Sequence, residues 1–134
     1  MIKKLHINNY ALFKNVEIDF TNGFTVISGD TGAGKSVMLD ALSLVLGKRV
    51  DRFVESSATQ KSIIEAEFLL NDSHKKFFED NDIDYDQETI IRREISINGK
   101  SRAFINDTPV LLSSLLRFGK KIMEMFAQDQ IGLL

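Results

Sequence analysis

Apolar and polar positions alternate with a period of two at the start of the chain. Over residues 2–8, Leu5 and Ile7 fall on one face; over 14–20, Val16, Ile18 and Phe20 do the same. A period of two puts alternate side chains on one side of a strand, so both segments are predicted strands. Asn22-Gly23 is a strong turn signal after the second of them. Residues 24–28 are the next predicted strand, with Phe24 and Val26 in register. The chain is expected to open as an antiparallel meander that feeds a central strand.

The period then changes. Val37, Met38, Ala41, Leu42, Val45 and Leu46 recur at helical spacing, which predicts a helix from about Lys35 to Leu46. Gly47 is a natural stop for it, and Lys48 and Arg49 follow where the helix dipole favours cations. Residues 51–61 are polar and irregular, and 62–70 read as a strand. Ser73 is the expected cap of a short helix over 74–80, followed by an acidic loop over 81–87. Residues 88–97 form the next predicted strand, with Ile91, Ile95 and Ile97 on one face. Asn98-Gly99 signals a second hairpin, returning over 101–106. Thr108 before Pro109 has the pattern of a helix start, which predicts a helix over 109–118 that Gly119 ends. Residues 121–127 are expected to form a last apolar strand. There is no internal repeat and no low-complexity tract.

Composition narrows the chemistry. A chain of 134 residues with 43% hydrophobic residues is long and apolar enough for one domain with a real core. A formal net charge of −2 excludes a globally basic polyanion binder, so any nucleic-acid contact needs a local patch or a larger assembly. The absence of cysteine excludes disulfides, thiolate metal sites and a cysteine nucleophile, and fits a reducing cytoplasm. His6 and His74 are far apart and show no metal-ligand spacing, so both read as ordinary polar residues. Charged residues interrupt the basic-then-apolar start, unlike a signal peptide, and no apolar run is long enough to span a bilayer.

The informative motif lies between the third predicted strand and the first predicted helix. Gly29-Asp30-Thr31-Gly32-Ala33-Gly34-Lys35-Ser36 matches G-x-x-x-x-G-K-[ST]. Wrapping a polyphosphate requires consecutive backbone N–H groups to point inward, and glycine permits the dihedrals and close approach. Gly29, Gly32 and Gly34 meet that need. The N-terminus of the following helix faces the same anion. Lys35 is expected to reach the β- and γ-phosphates, and the Ser36 hydroxyl to ligate magnesium. The expected nucleotide-binding set is therefore Gly29 to Ser36 together with Val37. Hydrolysis also needs a carboxylate after an apolar strand to hold the metal's water shell. Asp129 is the one candidate, but Glu124 interrupts the run before it and Gln128 separates it from the predicted strand. No LSGG-type signature occurs.

Several stretches resemble the start of RecN, a family of bacterial DNA repair proteins. They are Ile7-Asn8-Asn9-Tyr10-Ala11-Leu12, the Gly29–Ser36 run, Leu46-Gly47-Lys48-Arg49 with Asp51, Arg92-Arg93-Glu94, and Gly99 to Asn106. The resemblance covers essentially the whole chain. RecN belongs to the structural-maintenance-of-chromosomes (SMC) group of ABC-type ATPases, which split the ATPase head between the two ends of a long chain. The resemblance thus implies an α/β fold, a P-loop NTPase of ABC/SMC-head type, and within it the N-terminal lobe. ATP with Mg2+ is the implied cofactor, in keeping with the lack of an N-K-x-D guanine reader. The implied partners are the C-terminal half of the same head, a second head in a head-to-head dimer, and DNA through the full assembly. The implied location is the cytoplasm. The Walker B aspartate, catalytic glutamate, signature loop and coiled coil are expected beyond residue 134. Gln128 would stand in the Q-loop near magnesium and the attacking water; the alternative is a surface amide at a strand end. This family usually has histidine near that glutamine, where this chain has Phe126-Ala127-Gln128-Asp129-Gln130.

Arg92, Arg93, Lys100 and Arg102 flank the second predicted hairpin. They are either DNA-phosphate contacts or the ordinary charges of a half-exposed hairpin. Three function classes follow: a lobe of a RecN-like ATPase in double-strand break repair and recombination, a free-standing P-loop phosphotransferase, or a non-catalytic nucleotide-binding module. The first carries the expectation that the chain alone does not hydrolyse ATP.

Overall fold

A computed structural model describes residues 1–10, 13–20, 25–26, 31–50 and 61–129. Its centre is a seven-stranded sheet in the order β3-β2-β1-β4-β5-β6-β7, with every pairing antiparallel. The strands are β1 (Ile2–Tyr10), β2 (Phe13–Asp19), β3 (Thr25–Val26), β4 (Ser62–Leu69), β5 (Glu88–Ile95), β6 (Ser101–Ile105) and β7 (Thr108–Val110). The helices are α1 (Thr31–Val45), α2 (Lys75–Asp80) and α3 (Leu112–Asp129).

Alternation decides which face of the sheet is covered. Leu5, Ile7, Val16, Ile18, Ile64, Ala66, Ile91, Ile95, Ala103 and Ile105 are buried on one side. Ala41, Leu44 and Val45 of α1 and Leu115, Phe118 and Ile122 of α3 complete that core. The residues between them face outward and pair as charges across strands: Lys3 with Glu88 at 3.1 Å, Lys61 with Glu94 at 3.2 Å, and Arg92 with Asp107 at 2.9 Å. One apolar face and one charged face are what antiparallel strands with period-two patterning produce.

β1, β2, β4, β5 and β6 lie where the alternation predicts them, and Gly47 ends α1 as expected, with φ of +108°. Asn22-Gly23 and residues 51–60 lie outside the described residues. Five expectations are corrected. β3 is not central; it pairs through Ile18 with Val26 and forms one end of the sheet among the described residues. Residues 24–28 could show that a strand exists, but not which strand lies on its far side. Ser73 does not cap the short helix: Asn71 caps a 3-10 turn over Asp72–His74, its side chain accepting from the Ser73 backbone N–H, and α2 follows from that turn with no side-chain cap of its own. Ile97 lies beyond β5 and is exposed, while Arg93 takes the buried place between Ile91 and Ile95.

The remaining two corrections concern the end of the chain. Thr108-Pro109 does not start a helix. Asn106 and Asp107 have φ of +48° and +63°, so they form a two-residue hairpin turn that returns the chain as β7. Proline is tolerated there because β7 is an edge strand. Nor does Gly119 stop a helix ahead of a strand over 121–127; α3 runs through it to Asp129. Leu115, Phe118 and Ile122 bury one stripe at spacings of three and four, the helical period. A Cβ on Gly119 would lie 2.1 Å from the Leu46 carbonyl oxygen, so glycine here permits close helix approach.

Candidate nucleotide-binding site

The glycine-rich run connects β3 to α1. Gly29 and Asp30 lie outside the described residues. Thr31, Gly32, Ala33, Gly34, Lys35, Ser36 and Val37 form the first turns of α1, which begins at Thr31, four residues before the expected start at Lys35. The apolar period that marks this helix in the sequence starts only at Val37. The six residues before Val37 hold one apolar side chain, Ala33, which is too few to show a period. A helix's first turn holds N–H groups with no intrahelical acceptor, at the positive end of the macrodipole. Glycine is about 1 kcal/mol worse than alanine in a helix, so helix propensity gives no reason for Gly32 and Gly34 there.

The other end of α1 is built in more detail. The Gly47 N–H donates to the Leu44 carbonyl and the Lys48 N–H to the Ser43 carbonyl, both at 3.1 Å, which is a Schellman ending. Arg93 reaches this turn from β5. Its Nη1 donates to the Leu44 carbonyl at 2.6 Å and to the Lys48 carbonyl at 2.9 Å, and its Nη2 donates to the Ser101 hydroxyl at 3.0 Å. Arg93 is fully buried, and burial holds its guanidinium below its ordinary pKa. Its positive charge meets the negative end of the α1 dipole. Arg93 is therefore not a surface contact for DNA phosphate. Tyr10, at the end of β1, stands close enough to α1 that burial and then Asp40 push its phenol pKa up.

The other basic residues separate as well. Arg92 lies on the outward face, 3.2 Å from Glu94 and 2.9 Å from Asp107, with its guanidinium 4.4 Å from the centroid of the Phe104 ring. Its charge is matched locally. Lys100 and Arg102 are exposed. Gln128 and Asp129 are the last residues of α3, so neither follows a strand, and the strand that made Asp129 a magnesium candidate is a helix. Among the described residues, no group of three or more His, Asp or Glu is placed to hold a metal ion. Neither expected role fits Arg93, because its position between two inward isoleucines outweighs its charge.

Known proteins give this geometry a context. A family model described as an AAA domain matches residues 4–132. The DNA repair protein RecN of Vibrio cholerae is 38% identical over 130 residues, which is 96% of this chain and 24% of that protein. The DNA repair protein RecN of Haemophilus influenzae is 36% identical over 139 residues, 100% of this chain and 25% of that protein. The chain thus spans about a quarter of the length of the curated relatives it matches. A solved structure described under ATP-driven dimerization and DNA-stimulated activation of SMC ATPases superposes with a TM-score of 0.61 at 27% identity, covering 87% of this chain and 75% of that one. The fold is that of the ABC/SMC-type ATPase head, as the motifs had implied. The family match leaves only a few residues at either end uncovered, so the chain belongs to the AAA domain family, and the relatives it matches within that family are RecN proteins.

Proposed function

We propose that this chain binds ATP with magnesium through Gly29–Ser36 and Val37, as the nucleotide-binding lobe of a RecN-like ATPase in DNA double-strand break repair and recombination. One observation carries the reading: the sequence holds a complete G-x-x-x-x-G-K-S run, and its last six residues, Thr31 to Ser36, begin α1, the helix seated on the covered face of the sheet. The backbone N–H groups of the run hold the phosphates, Lys35 neutralises the β- and γ-phosphates, and the Ser36 hydroxyl is a magnesium ligand. Gln128 positions magnesium and water once the head is complete. Magnesium supplies charge neutralisation between the phosphates when bound. The same reading gives the lobe three partners: the other half of its own head, a second head, and DNA held by the full assembly. It acts in the cytoplasm. No described helix is long and apolar enough to cross a membrane.

The test is Lys35→Ala, read by titration calorimetry with ATP and magnesium. A charge-assisted contact to phosphate contributes about 1.5–3 kcal/mol, so affinity should fall by roughly ten- to a hundredfold. Unchanged affinity would show that the motif does not hold phosphate.

A further inference from the structure

We infer that Arg93 is a positioning residue for the phosphate-binding end of α1, fastening the helix's last turn to β5 and β6 and so fixing where its first turn lies. The inference rests on reading Gly29–Ser36 as the phosphate site. Arg93 stands on the buried face of β5 between Ile91 and Ile95. A position that needed only filling would carry an apolar side chain like theirs. It carries a guanidinium instead, and no carboxylate among the described residues pairs with it. All three of its hydrogen bonds hold one joint: two go to carbonyls at the C-terminal end of α1 and one to Ser101 on β6.

The joint matters at the far end because a helix is a stiff rod. The 15 residues of α1 extend for about 22 Å. A tilt of about 5° at the clamp therefore displaces the first turn by about 2 Å. Displacements of that size are enough to spoil a site that depends on aligned N–H groups. The planar fork of arginine fixes an angle as well as a distance, because one nitrogen bridges two carbonyls while the other bonds Ser101. Gly47 and Gly119 bring α1 and α3 together beside this joint, so α1 is gripped on two sides there.

Two readouts on the purified protein test this: hydrogen exchange of the α1 amides without nucleotide, and affinity for a fluorescent ATP analogue with magnesium. Arg93→Met keeps length and apolar stem and removes the clamp. It should stay folded by circular dichroism, speed exchange along α1 from Ser36 onward by roughly tenfold, and weaken nucleotide binding by roughly five- to twentyfold, the size of a typical coupling between linked sites. Arg93→Lys should fall between, because an ammonium makes a point contact rather than a fork. Ser101→Ala should produce the same changes at about twofold. Wild-type exchange across α1 in Arg93→Met overturns the inference. So does faster exchange confined to Leu44–Lys48 with nucleotide affinity unchanged, which is what a purely structural residue would give. If Arg93→Met fails to fold, unchanged exchange in both Arg93→Lys and Ser101→Ala overturns it. Lys35→Ala runs in parallel. If that variant binds nucleotide like wild type, the phosphate-site reading fails, and exchange in the first two turns of α1 decides the role of Arg93 alone.

Discussion

Arg92 and Arg93 are adjacent in sequence and have opposite surroundings, because successive residues of a strand point to opposite faces. The strand period through Ile91 and Ile95 puts position 93 on the inner face, whereas the charge of an arginine favours the outer one. Burying an unpaired charge costs several kcal/mol, which is why charge usually wins such a conflict. Here the carbonyls at the end of α1 offset the cost, and nothing local in the sequence announces them. Ser36 is the opposite case: its place after Lys35 carries the expectation of a metal-ligating hydroxyl, and its side chain lies outside the described residues. Ser36→Ala should weaken magnesium-dependent ATP binding more than binding in EDTA; equal losses in calorimetry would remove it from the metal site. His74, read as an ordinary polar residue, is buried edge-on against Phe118 with ring centroids 5.6 Å apart. Burial first, then the charges of Lys121 and the N-terminus, hold its pKa below the ordinary 6.5. The folded protein therefore binds fewer protons than the unfolded chain just below that value, and stability rises with pH there. The contribution is complete above about pH 6.5 and is lost as pH falls through the folded pKa. Thermal melts should show a decline from pH 7.5 to pH 5.5 that His74→Phe makes shallower; an equal decline in that variant would place the acid sensitivity elsewhere.

Glycine carries different information in different elements, and the misplaced end of α3 follows from that difference. Gly47 was read correctly as a helix end, because a positive φ after an apolar stripe is a local property. Gly119 was read as a second end and is instead a contact point, which depends on Leu46, a residue far away in sequence. The apolar period continued through Gly119 to Ile122, so the continuous helix was present in the pattern but the glycine broke the reading. Ahead of β7 the turn is made by Asn106 and Asp107, two residue types that tolerate positive φ, directly before the Thr108-Pro109 pair whose pattern is that of a helix start. The strands were legible because alternation survives any arrangement of neighbours, whereas their order in the sheet depends on pairings no local pattern encodes. The three glycines should separate experimentally. Gly119→Ala puts a methyl 2.1 Å from the Leu46 carbonyl oxygen inside helical backbone, so the cost is overpacking, about 1–3 kcal/mol. Gly47→Ala adds a φ of +108° to a 2.7 Å approach to the Leu116 Cα, and should cost more. Gly99→Ala has a φ of +88° with nothing within 4 Å, and should cost only about 1–2 kcal/mol of backbone strain. Urea denaturation should rank them Gly47 above Gly119, and Gly47 above Gly99. A Gly119→Ala midpoint equal to wild type would mean that α3 does not approach α1 as closely as described.

On the scale of the whole molecule, the covered face and the exposed apolar surface point to the same expectation. Leu39 of α1 is 53% exposed and Met123 of α3 49%, and with Leu116 they border a groove between the two helices. β3 ends the sheet with no strand on its far side among the described residues. A strand edge and a groove with exposed apolar side chains are surfaces that proteins usually cover. Phosphoryl transfer to water needs a phosphate cradle, positioned magnesium, an oriented water and charge stabilisation together. On the proposed reading the Gly29–Ser36 run would supply the cradle and one metal ligand, and α3 replaces the strand expected before Asp129. The 134-residue chain produced alone should therefore bind ATP weakly, self-associate, and hydrolyse ATP no faster than a Lys35→Ala control. Supplying the remaining head segment of a RecN-like parent should both raise turnover and return the species to a defined mass. Light scattering after size exclusion, with a phosphate-release assay on the same fractions, reads both outcomes. Monomeric chain showing robust Lys35-dependent hydrolysis would exclude the half-head reading and favour a self-sufficient P-loop enzyme. Self-association that persists unchanged with the added segment would mean that the groove and the β3 edge are not where that segment docks.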